Sequence, residues 1–155
     1  MIVVTNTSPL VVLDRIGLLD LLPRLYGKII RPQSVLEEIQ EGRHVYGGSD
    51  SLFHSDWQIT VEDPPEMALR KELGAGETAA IALAMRMNAD LLILDDLAAR
   101  NVAAELGLTV TGTMGVILAA CRRGYVQNVK GVVADLNEAG FRLSDTLIQA
   151  IIKRG

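Results

Sequence analysis

Short side chains with oxygen ligands follow two apolar runs of the sequence. Asp95 and Asp96 come directly after the run at 91–94, and Asn6 comes directly after the β-branched run at 2–5. Each run has the composition of a buried strand. Because ligand sites in open parallel sheets lie outside the carboxyl ends of the strands, we expect these three side chains at one edge of a sheet.

Two glutamates are expected at the same edge. Glu77 lies in the first turn of an alanine-rich helix predicted from Gly76 to about Met87, and Glu38 lies on the helix predicted after the second strand. A cluster of carboxylates is stable only when a cation neutralises it. Since all of these ligands are hard oxygens, the residue types predict a Mg²⁺ or Mn²⁺ site rather than a zinc site.

Each of these acidic residues also has a purely structural interpretation. Glu77 could serve only to complement the macrodipole of its helix, and Glu38, which has acidic neighbours, could belong to a solvated helix face. Asp95 or Asp96 could simply cap the helix that follows. Two adjacent acids after a four-residue apolar strand nevertheless favour a functional site at that position.

Strands and helices alternate along the sequence. Strands are predicted at 2–5, 28–30, 57–61, 91–94 and 109–111, and the run at 57–61 alternates as an edge strand does. Such an alternation favours parallel strands joined by right-handed helical crossovers. The sequence therefore predicts one α/β domain over 1–155, with three α/β/α layers around a central, mainly parallel sheet.

The predicted helices and one predicted loop complete this arrangement. Thr7 or Ser8 is expected to cap the first helix, which runs to Leu25 with breaks at Gly17 and near Pro23. Residues 42–56 have the weakest pattern and are predicted to form a loop or mobile flap. Further helices are predicted from Pro32, from Pro64 to about Gly74, at 76–87, 97–106 and 113–123, and as two helices over the C-terminal remainder.

The composition excludes several classes of protein. A length of 155 residues fits one domain, and 4% aromatic residues means that the core must be aliphatic. A net charge of −4 disfavours a protein that coats nucleic acid nonspecifically, and a single cysteine, Cys121, excludes an intramolecular disulfide and a cysteine-based zinc site. No apolar stretch approaches the ~18 residues that span a bilayer, and the N-terminus lacks the basic region of a signal peptide, so a cytoplasmic protein is predicted.

Charge is distributed unevenly along the chain. Residues 31–75 contain four basic and nine acidic residues, whereas residues 121–155 contain six basic and three acidic residues. An acidic middle and a basic tail are compatible with a centre that holds a metal ion beside a surface that tolerates phosphate.

Other catalytic motifs do not fit. The segment from Gly74 to Glu77 lacks the third glycine of a dinucleotide-binding motif and the lysine of a phosphate-binding P-loop. Ser8 has no histidine placed to act as its base, which makes a serine hydrolase a poor fit.

The order of the sequence blocks resembles the PIN domain family, the metal-dependent ribonucleases common in bacterial and archaeal toxin–antitoxin systems, and in particular a prokaryotic subgroup of it. The resemblance covers nearly the whole chain. It rests on the segments IVVTNTSPLVVLDRIGLLDLL, IIRPQSVLEEI, GAGETAAIALA, ADLLILDDLAAR, LTVTGTMGVILAACRRG and GFRLSDTLIQAII.

The resemblance implies a role for eight residues, transferred position by position. The implied metal ligands, for Mg²⁺ or Mn²⁺, are Asn6, Glu38, Glu77 and Asp95; the implied catalytic residues are Glu38, Glu77, Asp95 and Asp96; and the implied substrate-binding residues are Ser8, Arg100 and Thr113.

Asn6 is the main departure from the family pattern, since an active PIN nuclease usually carries aspartate at this position. An amide oxygen can ligate a hard cation but adds no negative charge, so metal affinity and the activation of water should both be weaker. The resemblance as a whole implies an endoribonuclease that acts as the toxin of a toxin–antitoxin pair. The alternative is a weakened or inactive module that binds RNA or a protein partner.

The resemblance also implies partners. RNA is the expected substrate, an antitoxin protein is an expected partner, and a homodimer is expected because many members of the family dimerise. No association with a membrane is expected.

Overall fold

The computed structural model of this chain describes residues 1–65 and 73–140, together with Gln149. Its strands are β1 (Val3–Thr5), β2 (Ile29–Pro32), β3 (Gln58–Val61), β4 (Leu91–Ile93) and β5 (Val110–Thr111). Its helices are α1 (Thr7–Arg15), α2 (Leu21–Tyr26), α3 (Gln33–Tyr46), α4 (Asp50–Phe53), α5 (Ala75–Arg86), α6 (Leu97–Glu105), α7 (Thr113–Arg122) and α8 (Val129–Glu138).

The strands form one parallel sheet in the order β3-β2-β1-β4-β5. β1 is central, and its partner β4 is paired in register from Val3 with Leu91 to Thr5 with Ile93. Because all strands are parallel, their carboxyl ends lie at one edge, and this edge carries Asn6 after β1 and Asp95 two residues after β4. The predicted fold class is confirmed.

Alternate residues of the central strands point to opposite faces of the sheet, which gives the domain its three layers. Val3 and Ile93 belong to the apolar cluster formed with α1, α2, α7 and α8, whereas Val4 and Leu92 belong to the cluster formed with α5 and α6. Among the described residues, Phe53 is the buried aromatic side chain of this core, as the aliphatic composition predicts.

Residues 42–56 are mostly helical, so the prediction of a loop is wrong there. α3 continues through Gly42 to Tyr46, and α4 begins after a turn at Gly47 and Gly48, whose φ angles are 74° and 130°. Glycine adopts such angles without the strain that a side chain would impose.

Contacts from distant parts of the chain hold α4 in place. Asp14 accepts the main-chain N–H of Ser49 at 3.0 Å and also its hydroxyl group. The buried guanidinium of Arg31 donates to the carbonyl oxygens of Leu52 at 2.8 Å and Phe53 at 3.1 Å. These partners lie 35, 21 and 22 residues apart in sequence, so the local pattern of residues 42–56 could not reveal them.

Two predicted elements fall largely outside the described residues, namely the helix from Pro64 to about Gly74 and the last of the two C-terminal helices. The predicted break near Pro23 is wrong, because Pro23 lies in the first turn of α2, where its missing N–H costs nothing. None of the described helices is both long and apolar enough to cross a membrane.

Candidate active site

A cleft of about 860 Å³ lies at the carboxyl edge of the sheet. Its polar lining includes Asn6, Thr7, Ser8, Glu38, Glu77, Asp95 and Asp96, and its apolar lining includes Val11, Val12, Ile39 and Leu52. The predicted metal ligands and catalytic residues are therefore brought together in one cleft. Arg100 and Thr113 are not among its lining residues.

Glu38 joins three helices at the cleft. Its Oε2 accepts the hydroxyl of Thr7 on α1 at 2.7 Å, and its Oε1 accepts the main-chain N–H of Gly76 on α5 at 2.9 Å. A Cβ atom on Gly76 would lie 2.9 Å from Cδ of Glu38, so only glycine allows the carboxylate to approach this N–H. Glu38 is exposed, but these two bonds show that it is more than part of a solvated helix face.

Asp95 is bound by three donors. Its Oδ1 accepts the main-chain N–H of Thr113 at 2.7 Å, and its Oδ2 accepts the hydroxyl groups of Thr113 at 2.7 Å and of Ser8 at 3.1 Å. A Cβ atom on Gly112 would lie 2.8 Å from Oδ1 of Asp95. Ser8 and Thr113 therefore orient Asp95 in this structure, and neither hydroxyl also caps its own helix.

Glu77 and Asp96 each support the start of a helix while they line the cleft. Glu77 accepts the main-chain N–H of Gly74 at 3.0 Å, and Asp96 accepts that of Ala99 at 2.9 Å as the N-cap of α6. Both residues therefore stabilise the start of a helix, as the structural interpretation expects, and both also line the cleft. Asp95, in contrast, does not cap α6.

The electrostatic environment of Glu77 is unfavourable for a negative charge. Burial raises the pKa of Glu77 above its ordinary value of 4.5, whereas the bond from the Gly74 N–H lowers it. The carboxylates of Asp96 and Glu38 raise this pKa further. A bound cation would relieve this repulsion.

Asn6 occupies the N-cap position of α1 but does not cap it. The prediction that Thr7 or Ser8 caps this helix is wrong, because their hydroxyls bind Glu38 and Asp95 instead. Asn6 is 5% exposed, and among the described residues its Oδ1 is the buried side-chain polar atom without a hydrogen-bond partner. A buried carbonyl oxygen without a partner costs about 1–3 kcal/mol, so this atom is open to a ligand from outside the described residues.

Arg100 lies at the margin of the site. Its Nη1 would be 3.5 Å from a Cβ atom on Gly112, and the same Cβ would contact Asp95. The side chain is exposed, and no described carboxylate forms an ion pair with it. A free guanidinium at this place is suited to a phosphate group.

The residues partly fit a divalent cation. No three acidic, histidine or cysteine side chains of the described chain lie close enough together to coordinate one ion. A carboxylate offers about four lone-pair positions, of which Glu38 uses two and Asp95 uses three. Free lone pairs on both carboxylates and the unpartnered Oδ1 of Asn6 fit a cation with oxygen ligands.

Two residues that shape the cleft were not predicted from the sequence. Asp14, which lines it, holds the N-terminus of α4, and Arg31 holds its C-terminus. The arginine is 3% exposed and bonds to neutral acceptors, including Oε1 of Gln58 at 2.7 Å. A single arginine in a strand-like run gives no sequence signal for such a role.

Comparisons with known proteins agree with this geometry. No curated protein sequence matches this chain significantly. Among solved structures, the fold is similar to that of a PilT N-terminus domain protein from the hyperthermophilic archaeon Sulfolobus solfataricus P2, with a TM-score of 0.58 and 19% identity over 75% of this chain and 90% of that chain. A family model described as PIN domain matches residues 2–155. The chain therefore belongs to the PIN domain family, a family of nucleases that generally depend on divalent metal ions.

Proposed function

We propose that this chain is a Mg²⁺- or Mn²⁺-dependent endoribonuclease and that the acidic cleft is its active site. The observation that carries the proposal is the buried Oδ1 of Asn6, which has no described partner and lines the same cleft as Glu38, Glu77 and Asp95. Membership of the PIN domain family supports a nuclease reaction.

Asn6, Glu38, Glu77 and Asp95 are the residues that would supply ligands to one or two metal ions, although the three carboxylates do not converge on one point in this structure. When bound, a divalent cation lowers the pKa of a water molecule and neutralises charge on the phosphate that is attacked. Thr113 and Ser8 fix the orientation of Asp95 before the cation arrives, which reduces the cost of ordering the site.

Asp96 and Arg100 are the remaining residues with a proposed role in catalysis. Asp96 keeps one oxygen outside its capping bond and places a negative charge beside Glu77, which compensates for the charge that Asn6 does not supply. Arg100 donates to a phosphate of the RNA at the margin of the site. Ser8, which lines the cleft, would reach the RNA only by sharing its hydroxyl with Asp95, whereas Thr113 is fully buried and would act on the substrate only through Asp95.

The finer parts of the proposal concern the cellular role. The substrate is RNA, the nuclease is the toxin of a toxin–antitoxin pair, an antitoxin protein is its partner, and the chain acts in the cytoplasm as a homodimer. These parts follow from the properties of the family, while the described contacts bear on the active site alone.

A second candidate function is an inactive module that binds RNA or a protein. The observation that favours it is the neutral amide of Asn6, which leaves the ligand set one negative charge short of the family pattern. Under this alternative the cleft binds its ligand without turnover.

Cleavage of a labelled RNA with Mn²⁺ tests the proposal. The parent should cleave, and Glu77→Gln with Asp95→Asn should not. Glu41→Gln with Glu62→Gln removes the same charge from exposed positions outside the cleft and should cleave like the parent. Equal activity of the two double variants would contradict the proposed site, and an inert parent would favour the binding module.

A further inference from the structure

Two Arg-x-Tyr segments meet on the surface where α2 and α7 end. Arg24 and Tyr26 belong to the first segment, and Arg123 and Tyr125 belong to the second. The pairs are crossed, since the guanidinium of Arg24 lies 4.1 Å from the ring centroid of Tyr125. Burial raises the pKa of Tyr26, and the positive charge of Arg123 is near enough to lower it. We call these four residues the Arg–Tyr surface.

The ends of the two helices hold this arrangement in place. Each helix ends before a glycine with a left-handed φ angle, 77° at Gly27 and 74° at Gly124. The N–H of Gly27 bonds to the carbonyl of Pro23 at 2.9 Å, and the N–H of Gly124 bonds to that of Cys121 at 3.0 Å. Both tyrosine rings pack against the apolar core while both guanidinium groups are exposed. The surface is therefore built before any ligand arrives.

The segments that carry the Arg–Tyr surface are rich in positive charge for an acidic protein, with Asp20 and Asp135 directly beyond their outer ends. Residues 21–36 and 106–134 contain no aspartate or glutamate, although the chain has a net charge of −4. Lys28, which follows Gly27, and Arg122, the last residue of α7, add two exposed cations. No described carboxylate forms an ion pair with any of these basic side chains, so their charge is available to a polyanion.

The Arg–Tyr surface lies at the opposite edge of the sheet from the acidic cleft. α7 begins at Thr113 beside Asp95 and ends nine residues later at Arg122, about 14 Å along the helix axis. None of the four residues lines the cleft. A ligand at this surface therefore does not compete with the predicted metal ligands.

We infer that the Arg–Tyr surface binds a single-stranded part of the RNA that continues beyond the segment held in the cleft. Guanidinium groups donate to phosphate oxygens in pairs, and a guanidinium plane that lies on a tyrosine ring offers its other face to an unpaired base. Aromatic side chains and basic residues together are the usual means of binding single strands without a sequence preference. The inference rests on the proposed function in one respect, namely that the polymer is the substrate.

Binding measured without metal tests this inference. The probe is a labelled single-stranded RNA of about 20 nucleotides, longer than one such surface covers, in EDTA, followed by fluorescence anisotropy over a range of salt concentrations. Arg24→Gln and Arg123→Gln should each weaken binding about fivefold at about 0.1 M salt and reduce the slope of log K against log salt by about 0.7, the value for one lost phosphate contact. Arg86 is an exposed arginine on α5, and Arg86→Gln should change neither the affinity nor the salt slope.

Three results would overturn the inference. The first is equal binding by the parent and the Arg24→Gln/Arg123→Gln double variant, with the same circular dichroism spectrum. The second is equally tight, equally salt-dependent binding of a polyglutamate peptide, which would assign the surface to an acidic protein. The third is a difference in oligomeric state between the parent and the double variant, measured by light scattering. Such a difference would make the surface an interface between copies of the chain.

Cleavage assays separate this inference from the proposed function. An RNA too short to extend from the cleft to the Arg–Tyr surface should be cleaved equally by the parent and the double variant, whereas a long RNA should be cleaved with a higher KM by the variant. If the parent cleaves nothing but the two arginines still determine binding in EDTA, the proposed function fails and the RNA-binding surface stands.

Discussion

Thr113 binds both oxygens of Asp95, with its main-chain N–H to Oδ1 and its hydroxyl to Oδ2, each at 2.7 Å. The first residue of α7 thus fixes the carboxylate that follows β4, and Gly112 leaves the space for it. Thr113 is fully buried, so water does not replace these bonds. The orientation of Asp95 is a property of the folded chain rather than of a bound cation.

Thr113→Val should therefore destabilise the protein although it hardly changes the volume of the side chain. The hydroxyl donates to a carboxylate, and we expect a loss of about 1.5 kcal/mol or more in the free energy of unfolding. Urea denaturation measures this loss. Thr109→Val, at an exposed position before β5, is the control and should have no comparable effect. Equal stability of Thr113→Val and the parent would show that the bond contributes nothing.

Gly76→Ala should destabilise the protein, although the same change in an open helix stabilises by about 1 kcal/mol. The new Cβ would contact the Glu38 carboxylate, and overpacking of this kind costs about 1–3 kcal/mol. In a Glu38→Ala background the contact is gone, so Gly76→Ala should increase the free energy of unfolding. A double-mutant cycle in urea checks this, and additive effects of the two changes would contradict the position of Glu38.

The pH dependence of stability should carry the signature of Glu77. Because its pKa is raised in the folded state, the folded protein holds this proton more tightly than the unfolded chain. The contribution of Glu77 to the free energy of unfolding is fully present below the pKa of the unfolded chain, near 4.5. It is lost as the pH rises through the raised pKa of the folded state.

Glu77→Gln should remove that loss and be more stable than the parent at neutral pH without metal. Glutamine keeps an acceptor for the Gly74 N–H, so the helix start is preserved. Glu41→Gln, an exposed change on α3, should follow the parent curve. A parent and a Glu77→Gln variant with parallel curves from pH 4.5 to neutrality would argue against burial as the dominant effect.

Mn²⁺ should raise the melting temperature of the parent, because a cation that binds only the folded state adds stability by mass action. Glu77→Gln with Asp95→Asn should abolish the shift; without metal, the gain from removing the Glu77 charge is opposed by the weakening of the three bonds that Asp95 accepts, so the melting temperature of each single variant is measured as well. Thermal denaturation with and without millimolar Mn²⁺ measures both effects. Absence of any shift in the parent would contradict a metal site in the cleft.

The elements that position the site were predictable where local residues determine the structure. The apolar run that ends at Asp95 forms a buried strand because Leu92 and Ile93 face the two cores of a parallel sheet. The alanine-rich run around Glu77 forms α5 for a similar local reason, since alanine favours helix and fits closely against the sheet.

The parts that could not be predicted depend on contacts between distant residues. α4 is held by Asp14 and Arg31, and neither residue is close to it in sequence. Likewise, no periodicity shows that Glu38 bonds to Thr7 and Gly76 rather than to water. The positions of Asn6 and Asp95 after predicted strands therefore indicated which residues line the cleft, while the hydrogen-bond partners of its carboxylates required the fold.

Titration of Mn²⁺ into the metal-free parent and Asn6→Asp, followed by calorimetry, tests the account most directly. If Oδ1 of Asn6 faces the cation, the new carboxylate adds charge to a site that already holds several carboxylates. The variant should then bind Mn²⁺ more tightly than the parent, because affinity for hard cations follows ligand charge, and should be less stable without metal. Equal Mn²⁺ affinity of the two proteins would contradict the account, since it would place Asn6 outside the coordination sphere.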